Sequence, residues 1–348
     1  MKLSQSTAPD PPVVALEELV RELIGAPASV EVREQRVKSR VYRLRCAMDG
    51  AIHSFIAKRF EPDVARRNEL VARRWLPAVG LGDSGPPLLA VAAQHDASRV
   101  WHLYEDLGDC GLAAVGADPR RVAAAVATIA AIHTRFASHP LLPECRLRGG
   151  DLGIGFYASS VHDAIASLEA ACARRHPLGN ERASLCRRLL GRLAVLRDEQ
   201  AARAEALARS GGPVTLLHGD LWPMNVMVGS DGARASARLI DWDHAAIGPI
   251  SYDLSTFLSR FPAPERAPIL HLYAEEVARA GWHLPSAAEL NLAFETAELG
   301  RIANRVIWPA LAAWEHDAAW PFDALEEVDR WFEQLTPILP LEEPCARS

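Results

Sequence analysis

Lysine is almost missing from this chain of 348 residues: of its 38 basic residues only Lys2, Lys38 and Lys58 are lysine. Asparagine is nearly as scarce, with five in the whole sequence. A coding bias toward alanine and arginine accounts for both shortages, and it makes each retained lysine or asparagine worth placing. Cysteines are few and scattered, at 46, 110, 145, 172, 186 and 345, with no C-x-x-C pair. That pattern suits reduced thiols better than a disulfide scaffold or a zinc site. No apolar run approaches the ~20 residues that span a bilayer. Residues 1–20 lack the apolar stretch and small-residue cleavage site of a signal peptide, so a cytoplasmic protein is expected. Basic charge is not in excess either: the net charge of −6 argues against a general nucleic-acid binder.

What is present falls into two patterns. Residues 13–24 carry apolar side chains at helical spacing and stop at Gly25. Segments 30–36, 41–46 and 53–60 are rich in β-branched and aromatic residues, and Met48-Asp49-Gly50 turns the last two into a hairpin. A helix is predicted over 61–76, closed by Pro77 and Gly80, then strands over 88–94 and 99–105. After Asp106-Leu107-Gly108 the chain becomes rich in alanine and leucine, with helices predicted over 120–137, 157–175 and 181–209. A compact β insert follows at 214–217, 226–228 and 238–240, and helical sequence resumes from 253. The reading is an α+β protein: a small N-terminal antiparallel sheet plus helix, then a larger, mainly helical C-terminal lobe. Its divisions are a disordered arm at 1–12, lobes at 13–106 and 107–340, and a tail at 341–348.

The densest polar cluster in an apolar setting is His218-Gly219-Asp220-Leu221-Trp222-Pro223-Met224-Asn225, followed by Ile240-Asp241-Trp242-Asp243. Each part flanks a short predicted strand, so Asp220, Asn225 and Asp241 can converge at strand ends. Two carboxylates and an amide oxygen are hard donors, suited to Mg²⁺ carrying nucleotide phosphates. The order H-x-D, then Asn, then a strand-terminal Asp is what phosphoryl transfer uses. One Asp orients the attacking hydroxyl and accepts its proton, while the Asn and the second Asp hold metal.

Taken with Gly248-Pro249 and Asp253-Leu254, these residues resemble the aminoglycoside phosphotransferase and choline kinase family, small-molecule kinases with a protein-kinase-like bilobal fold. The resemblance implies that Asp220 is the catalytic carboxylate and that Asn225 and Asp241 are Mg²⁺ ligands. His218 and Asp253 would support the catalytic loop. In the first lobe, Lys58 matches the strand lysine that grips nucleotide phosphates. Glu69 is its expected ion-pair partner, with Glu61 as competitor. The hinge at 104–107 would offer backbone groups of Glu105 and Leu107 to a purine. Here the chain departs from the family: the loop Arg36-Val37-Lys38-Ser39-Arg40 has no glycine to let backbone N–H groups approach phosphate. Ser39 is the candidate contact, and Lys38 and Arg40 either supply charge or are exposed turn residues.

The implied partners are a nucleoside triphosphate, ATP or GTP, and a small hydroxylated acceptor, bound by a monomer or homodimer with no nucleic acid and no membrane. An aminoglycoside or related antibiotic is the first expectation for the acceptor; an amino alcohol, sugar, amino acid or protein Ser/Thr follows. Its pocket is expected among Glu295, Glu298, Arg301, Asn304, Arg305, Trp308, Glu315 and Asp317. Acids there would attract a polycation, whereas Arg301 and Arg305 either pair internally or bind an anion. Two rivals stand beside the kinase reading. His218, Asp220, Asp241, Asp243 and His244 offer mixed ligands for a metallohydrolase, and a loop without glycine suits a catalytically silent nucleotide-binding module. Arginine pairs such as Arg66-Arg67 and Arg73-Arg74 read as solvated helix faces, and His133 as a core or capping histidine.

Overall fold

The structure, a computed structural model, describes residues 32–38, 40–48, 51–93, 98–113, 116–173, 179–231, 234–315 and 320–340. The arm at 1–12, the helix predicted over 13–24, Ser39, Asp317 and the tail at 341–348 lie outside the described residues. Two compact units divide the chain: residues up to Leu112 together with Met224–Ala245, and Ala113–Pro223 together with the chain from Ala246 onward.

The first unit is built on five antiparallel strands: β1 (Val32–Lys38), β2 (Val41–Met48), β3 (Ala51–Phe60), β4 (Leu88–Ala93) and β5 (Val100–Glu105). Their spatial order is β1-β2-β3-β5-β4, so β3 is central and sets Lys58 opposite Val41 on one side and His102 on the other. The two-residue period of a strand puts Ile56, Lys58 and Phe60 on one face. Phe60 packs with Ala65 and Tyr104, with Ile56 against them, so Lys58 is held between two side chains that anchor the strand. Helix α1 (Pro62–Leu70) follows at once, with proline in the first turn, where its missing N–H costs nothing. Beyond it the helix widens: the Leu76 N–H reaches back to the Val71 carbonyl, five residues earlier. Pro77, which has no donor, lies just past this wide turn, and the run ends at Gly80 with φ +70°. A later hairpin, Val226–Asp231 with Arg234–Leu239, belongs to the same unit. Its first strand is tied on by Leu112 N–H to Val226 O at 2.8 Å and Val228 N–H to Cys110 O at 2.9 Å.

The second unit is mainly helical. Helix Pro119–Phe136 starts on Asp118, whose side chain accepts the Arg120 N–H at 2.9 Å. Helices Leu142–Gly149, Ile154–Cys172, Asn180–Asp198 and Gln200–Ser210 come next. An antiparallel pair, Val214–Leu217 with Ala246–Pro249, then precedes helices Ser251–Ser259, Ala263–Ala278, Ala287–Glu315 and Trp320–Gln334. The core joins Tyr157, Val161, Ala164 and Leu168 to Leu185, Leu189 and Leu193 and to Leu299, Ala303, Val306 and Ala310. Steps of three and four residues line these up as one apolar stripe per helix. Each fully buried leucine there contributes roughly 1.5–3 kcal/mol.

The α+β order expected from the sequence is the order found: a small antiparallel sheet with a helix, then a mainly helical chain. One expected helix differs. Residues 181–209 form two helices that meet at Glu199, with no proline or glycine at the junction. At the start of the second of them, buried Arg203 is tied to Glu199 at 2.6 Å, Glu295 at 3.2 Å and Thr296 at 3.2 Å. The strand Ala246–Pro249 was not foreseen, because its four residues end in Gly-Pro and show no alternation. No described helix is long and apolar enough to cross a membrane.

Candidate active site

In the first unit a cavity of about 270 Å³ is lined by Lys58, Asn68, Asn225 and Asp241, with Val41, Ile56, Met227 and Ile240 as apolar wall. Strand β3 delivers Lys58, the hairpin's flanks deliver Asn225 and Asp241, and α1 delivers Asn68. The Ile240 N–H donates to the Asn225 carbonyl at 2.9 Å, which draws the two ends of the hairpin together. Asp241 adopts the left-handed conformation, φ +67° and ψ +53°, between the strand and the short helix Trp242–His244. Outside glycine that region is visited chiefly by Asn and Asp, and backbone strain of this kind collects at functional sites. Trp242 is buried with its indole N–H on the Leu239 carbonyl at 2.9 Å, which locks the turn.

The charges converge on Lys58. Its ammonium donates to Asp241 and to both oxygens of Asp243, at 2.9 and 3.1 Å, and lies 4.6 Å from the Phe60 ring centre. Asp243 also accepts from Asn68 Nδ2 at 3.1 Å, and its carbonyl accepts from the Arg67 guanidinium. Burial raises the pKa of Asp243, Lys58 works against that, and neighbouring Asp241 adds to it. Below Lys58, His102 is buried and bonded to the Tyr104 hydroxyl at 2.8 Å. Burial, then the charges of Arg73 and Lys58, push His102 down to about 4, so its ring is neutral near pH 7.

Glu69 does not pair with Lys58. It accepts from Arg66 and Arg73, each at 3.2 Å, on the outer face of α1. One residue of helix is a turn of ~100°, so with Asn68 facing the cavity Glu69 cannot. Glu61, the expected competitor, pairs with Arg99 at 2.6 Å. Lysine's carboxylate partners therefore come from the loop after the hairpin, and Asn68 and Asp243 are the residues the sequence reading missed. The D-W-D spacing was the available signal for Asp243; Asn68 offered only its rarity. Arg67 likewise leaves the solvated face expected for it.

At the hinge, Glu105 and Leu107 line the same cavity. The Glu105 N–H is taken by the Pro87 carbonyl at 3.1 Å, which leaves only its carbonyl to offer. Asp106 fixes this turn by accepting from Ser54 at 2.6 Å and from the Gly108 N–H at 3.0 Å, and by an ion pair with Arg43 at 2.7 Å. Burial alone would raise the Asp106 pKa, but these partners together hold it below its ordinary value. Lys38 also lines the cavity, whereas Ser39 lies outside the described residues.

In the second unit the segment from Leu217 to Asp220 leaves a strand and is gripped by Asp253. This carboxylate is buried and accepts the N–H of His218 at 2.7 Å and of Gly219 at 2.9 Å. His133 lies 3.4 Å from it and bonds the Tyr273 hydroxyl at 2.9 Å. Burial works to raise the Asp253 pKa; His133, His218 and the backbone donor outweigh it and leave it depressed. Gly219, with φ +81°, supplies the turn that a side chain would strain.

Asp220 lines a second cavity, of about 660 Å³, with Trp222, Arg260, Glu298, Arg301, Arg305, Glu327 and Trp331 among its walls. Glu298, Arg301 and Arg305 are thus brought together with Asp220. Glu295 and Trp308 are not: Glu295 is bound to Arg203, and Trp308 is 63% exposed away from the cavity. Both lie on helix Ala287–Glu315, and Glu295 lines a neighbouring cavity that Glu298 also borders. Trp222, Arg260, Glu327 and Trp331 were missed, since three helices and a loop must fold before they share a surface.

Asn225 and Asp241 suit Mg²⁺ by chemistry, an amide and a carboxylate oxygen on one cavity wall, with phosphate and water left to complete a hard-oxygen shell. Among the described residues no three His, Cys, Asp or Glu side chains form a metal-holding group.

A family model described as the phosphotransferase enzyme family, APH, matches residues 30–290. No curated protein matched the chain. Among solved structures, a spectinomycin phosphotransferase in complex with ADP and spectinomycin superimposes with a TM-score of 0.58 at 13% identity, covering 93% of this chain and 95% of that one. An ethanolamine kinase of Plasmodium vivax gives 0.58 at 11% identity, covering 89% and 84%. The GDP complex of aminoglycoside 2'-phosphotransferase-IIIa gives 0.54 at 15% identity, covering 92% and 98%. These likenesses show the fold, that of the kinase-like small-molecule phosphotransferases. The chain belongs to the phosphotransferase enzyme family and is a phosphotransferase, a kinase.

Proposed function

We propose that this protein transfers the γ-phosphate of ATP or GTP to a hydroxyl of a small polar molecule, with Mg²⁺ as cofactor. The observation that carries the reading is the convergence of Lys58, Asn225 and Asp241 on one cavity, with Asp220 five residues before Asn225 in the chain. Lys58 grips phosphate as a compact ammonium, which arginine's planar fork does not replace. Mg²⁺, held by Asn225 and Asp241, would neutralise charge on the phosphate oxygens. Asp243 and Asn68 hold Lys58 and the Asp241 turn in place. The Leu107 N–H and the Glu105 carbonyl meet the purine edge, and Lys38 adds charge where the loop lacks glycine. Asp220 orients the acceptor hydroxyl and takes its proton as the bond to phosphorus forms. Asp253 keeps the His218–Asp220 backbone fixed, so that this carboxylate needs no reorganisation during the reaction.

The solved relatives that hold ADP and GDP support a nucleotide co-substrate, and the two antibiotic phosphotransferases among them support an aminoglycoside or related antibiotic as acceptor. The arginines on the Asp220 cavity wall favour an anionic acceptor instead. Purified protein with Mg²⁺ and γ-labelled ATP or GTP, offered a panel of hydroxylated compounds, should label at least one of them. A failure to label any acceptor with either nucleotide would count against the assignment.

A further inference from the structure

We infer that the acceptor carries an oxyanion, a carboxylate or phosphate, bound by Arg260 and Arg305. This rests on the reading that the Asp220 cavity receives the acceptor. The walls of that cavity bear three arginines and three carboxylates. Arg301 is satisfied internally: it pairs with Glu298, donates to the Tyr252 carbonyl and to Ser255 Oγ at 3.0 Å, and stacks 3.6 Å from the Tyr252 ring centre. Asp220 is committed to the reacting hydroxyl. What remains is Arg260, Arg305 and the exposed Glu327.

Neither remaining guanidinium has an ion-pair partner among the described residues. Each is set on a tryptophan instead, Arg260 at 3.5 Å from the Trp222 ring centre and Arg305 at 5.3 Å from that of Trp331. Stacking restricts a long side chain without using its N–H donors, so both forks stay available to a ligand. Partial burial disfavours the charge on Arg260, Glu298 and Asp220 favour it, and Arg301 and Arg305 oppose it. A site where guanidiniums crowd one another gains most from an incoming oxyanion, which takes two parallel N–H bonds from each fork. A polycation would meet the same charges as repulsion.

The test uses matched probes with the full-length protein: glycerol 3-phosphate against glycerol, glucuronate against glucose, homoserine against homoserinol, and kanamycin as polycation. Binding is measured by calorimetry on the wild type, Arg260→Gln and Arg305→Gln, and transfer from ATP by product labelling. In at least one pair the oxyanion member should bind about ten-fold tighter or more than its uncharged partner, and each substitution should remove most of that preference. The phosphate and carboxylate pairs distinguish the two oxyanions. Equal binding within every pair, tightest binding of kanamycin, or a preference that survives both substitutions would overturn the inference. Oxyanion-selective binding lost in both variants but with no transfer would show the anion site while overturning the reading that this cavity receives the acceptor.

Discussion

At the scale of single residues, the division of labour around Lys58 and Asp220 makes firm demands. Asp220→Ala should lower kcat by about three orders of magnitude, as removal of a positioned general base does, with the fold unchanged by circular dichroism. The two carboxylates near α1 should part company. Asp243→Ala removes a direct partner of Lys58 and of Asn68, and should raise the nucleotide KM about ten-fold, as loss of a group that orients a ligand does. Glu69→Ala removes only contacts to Arg66 and Arg73, which are surface ion pairs of small effect, and the KM should stay within about two-fold. Steady-state kinetics on the pair separates the observed geometry from the lysine–glutamate pair that the family resemblance implies. That resemblance picked out Lys58 because its strand matches the family's lysine-bearing strand, yet it could not give the rotation of the helix beside it.

At the scale of elements, the loop that presents Asp220 depends on a carboxylate thirty-three residues further along the chain. Asp253→Ala would leave two buried N–H groups and His133 without their acceptor. Each unmet buried group costs about 1–3 kcal/mol, so urea denaturation should show a loss of several kcal/mol. The dipeptide Asp253-Leu254 was legible as part of a motif, and so were the two strands of the later hairpin, expected at 226–228 and 238–240 and found at Val226–Asp231 and Arg234–Leu239. The break at Glu199 and the strand Ala246–Pro249 were not legible. No proline or glycine marks the break, and the strand exists through a partner distant in sequence, Val214–Leu217.

At the scale of the molecule, each unit contains a carboxylate whose pKa is depressed in the folded state, Asp106 in the first and Asp253 in the second. A depressed pKa gives stability that is fully present above the unfolded value of 3.8 and lost as pH falls through the lower folded value. Stability should therefore hold through neutral and mildly acid pH and fall below about pH 4, and Asp106→Asn should flatten that fall, read as Tm against pH. Nucleotide should act in the opposite direction. Mg²⁺ with ATP or GTP at about a hundred times Kd should add about 2.7 kcal/mol, and whichever nucleotide shifts Tm more is the preferred one.

The sequence by itself determined the order of sheet and helices, the family, and the positions of Lys58, Asp220, Asn225 and Asp241. The order of elements follows from strand alternation and helical period, Asp220, Asn225 and Asp241 from a motif confined to residues 218–254, and Lys58 from the family resemblance that this motif carries. The tertiary structure alone decided what those residues touch. Asn68 rather than Glu69 faces the cavity because of the phase of one helix. Arg301 is paired with Glu298 one turn earlier on its own helix and bonded to the Tyr252 carbonyl, whereas Arg260 and Arg305 lie on tryptophans from other parts of the chain, Trp222 and Trp331. Charge signs can be read along a chain, but pairing depends on distances that exist only once the chain has folded.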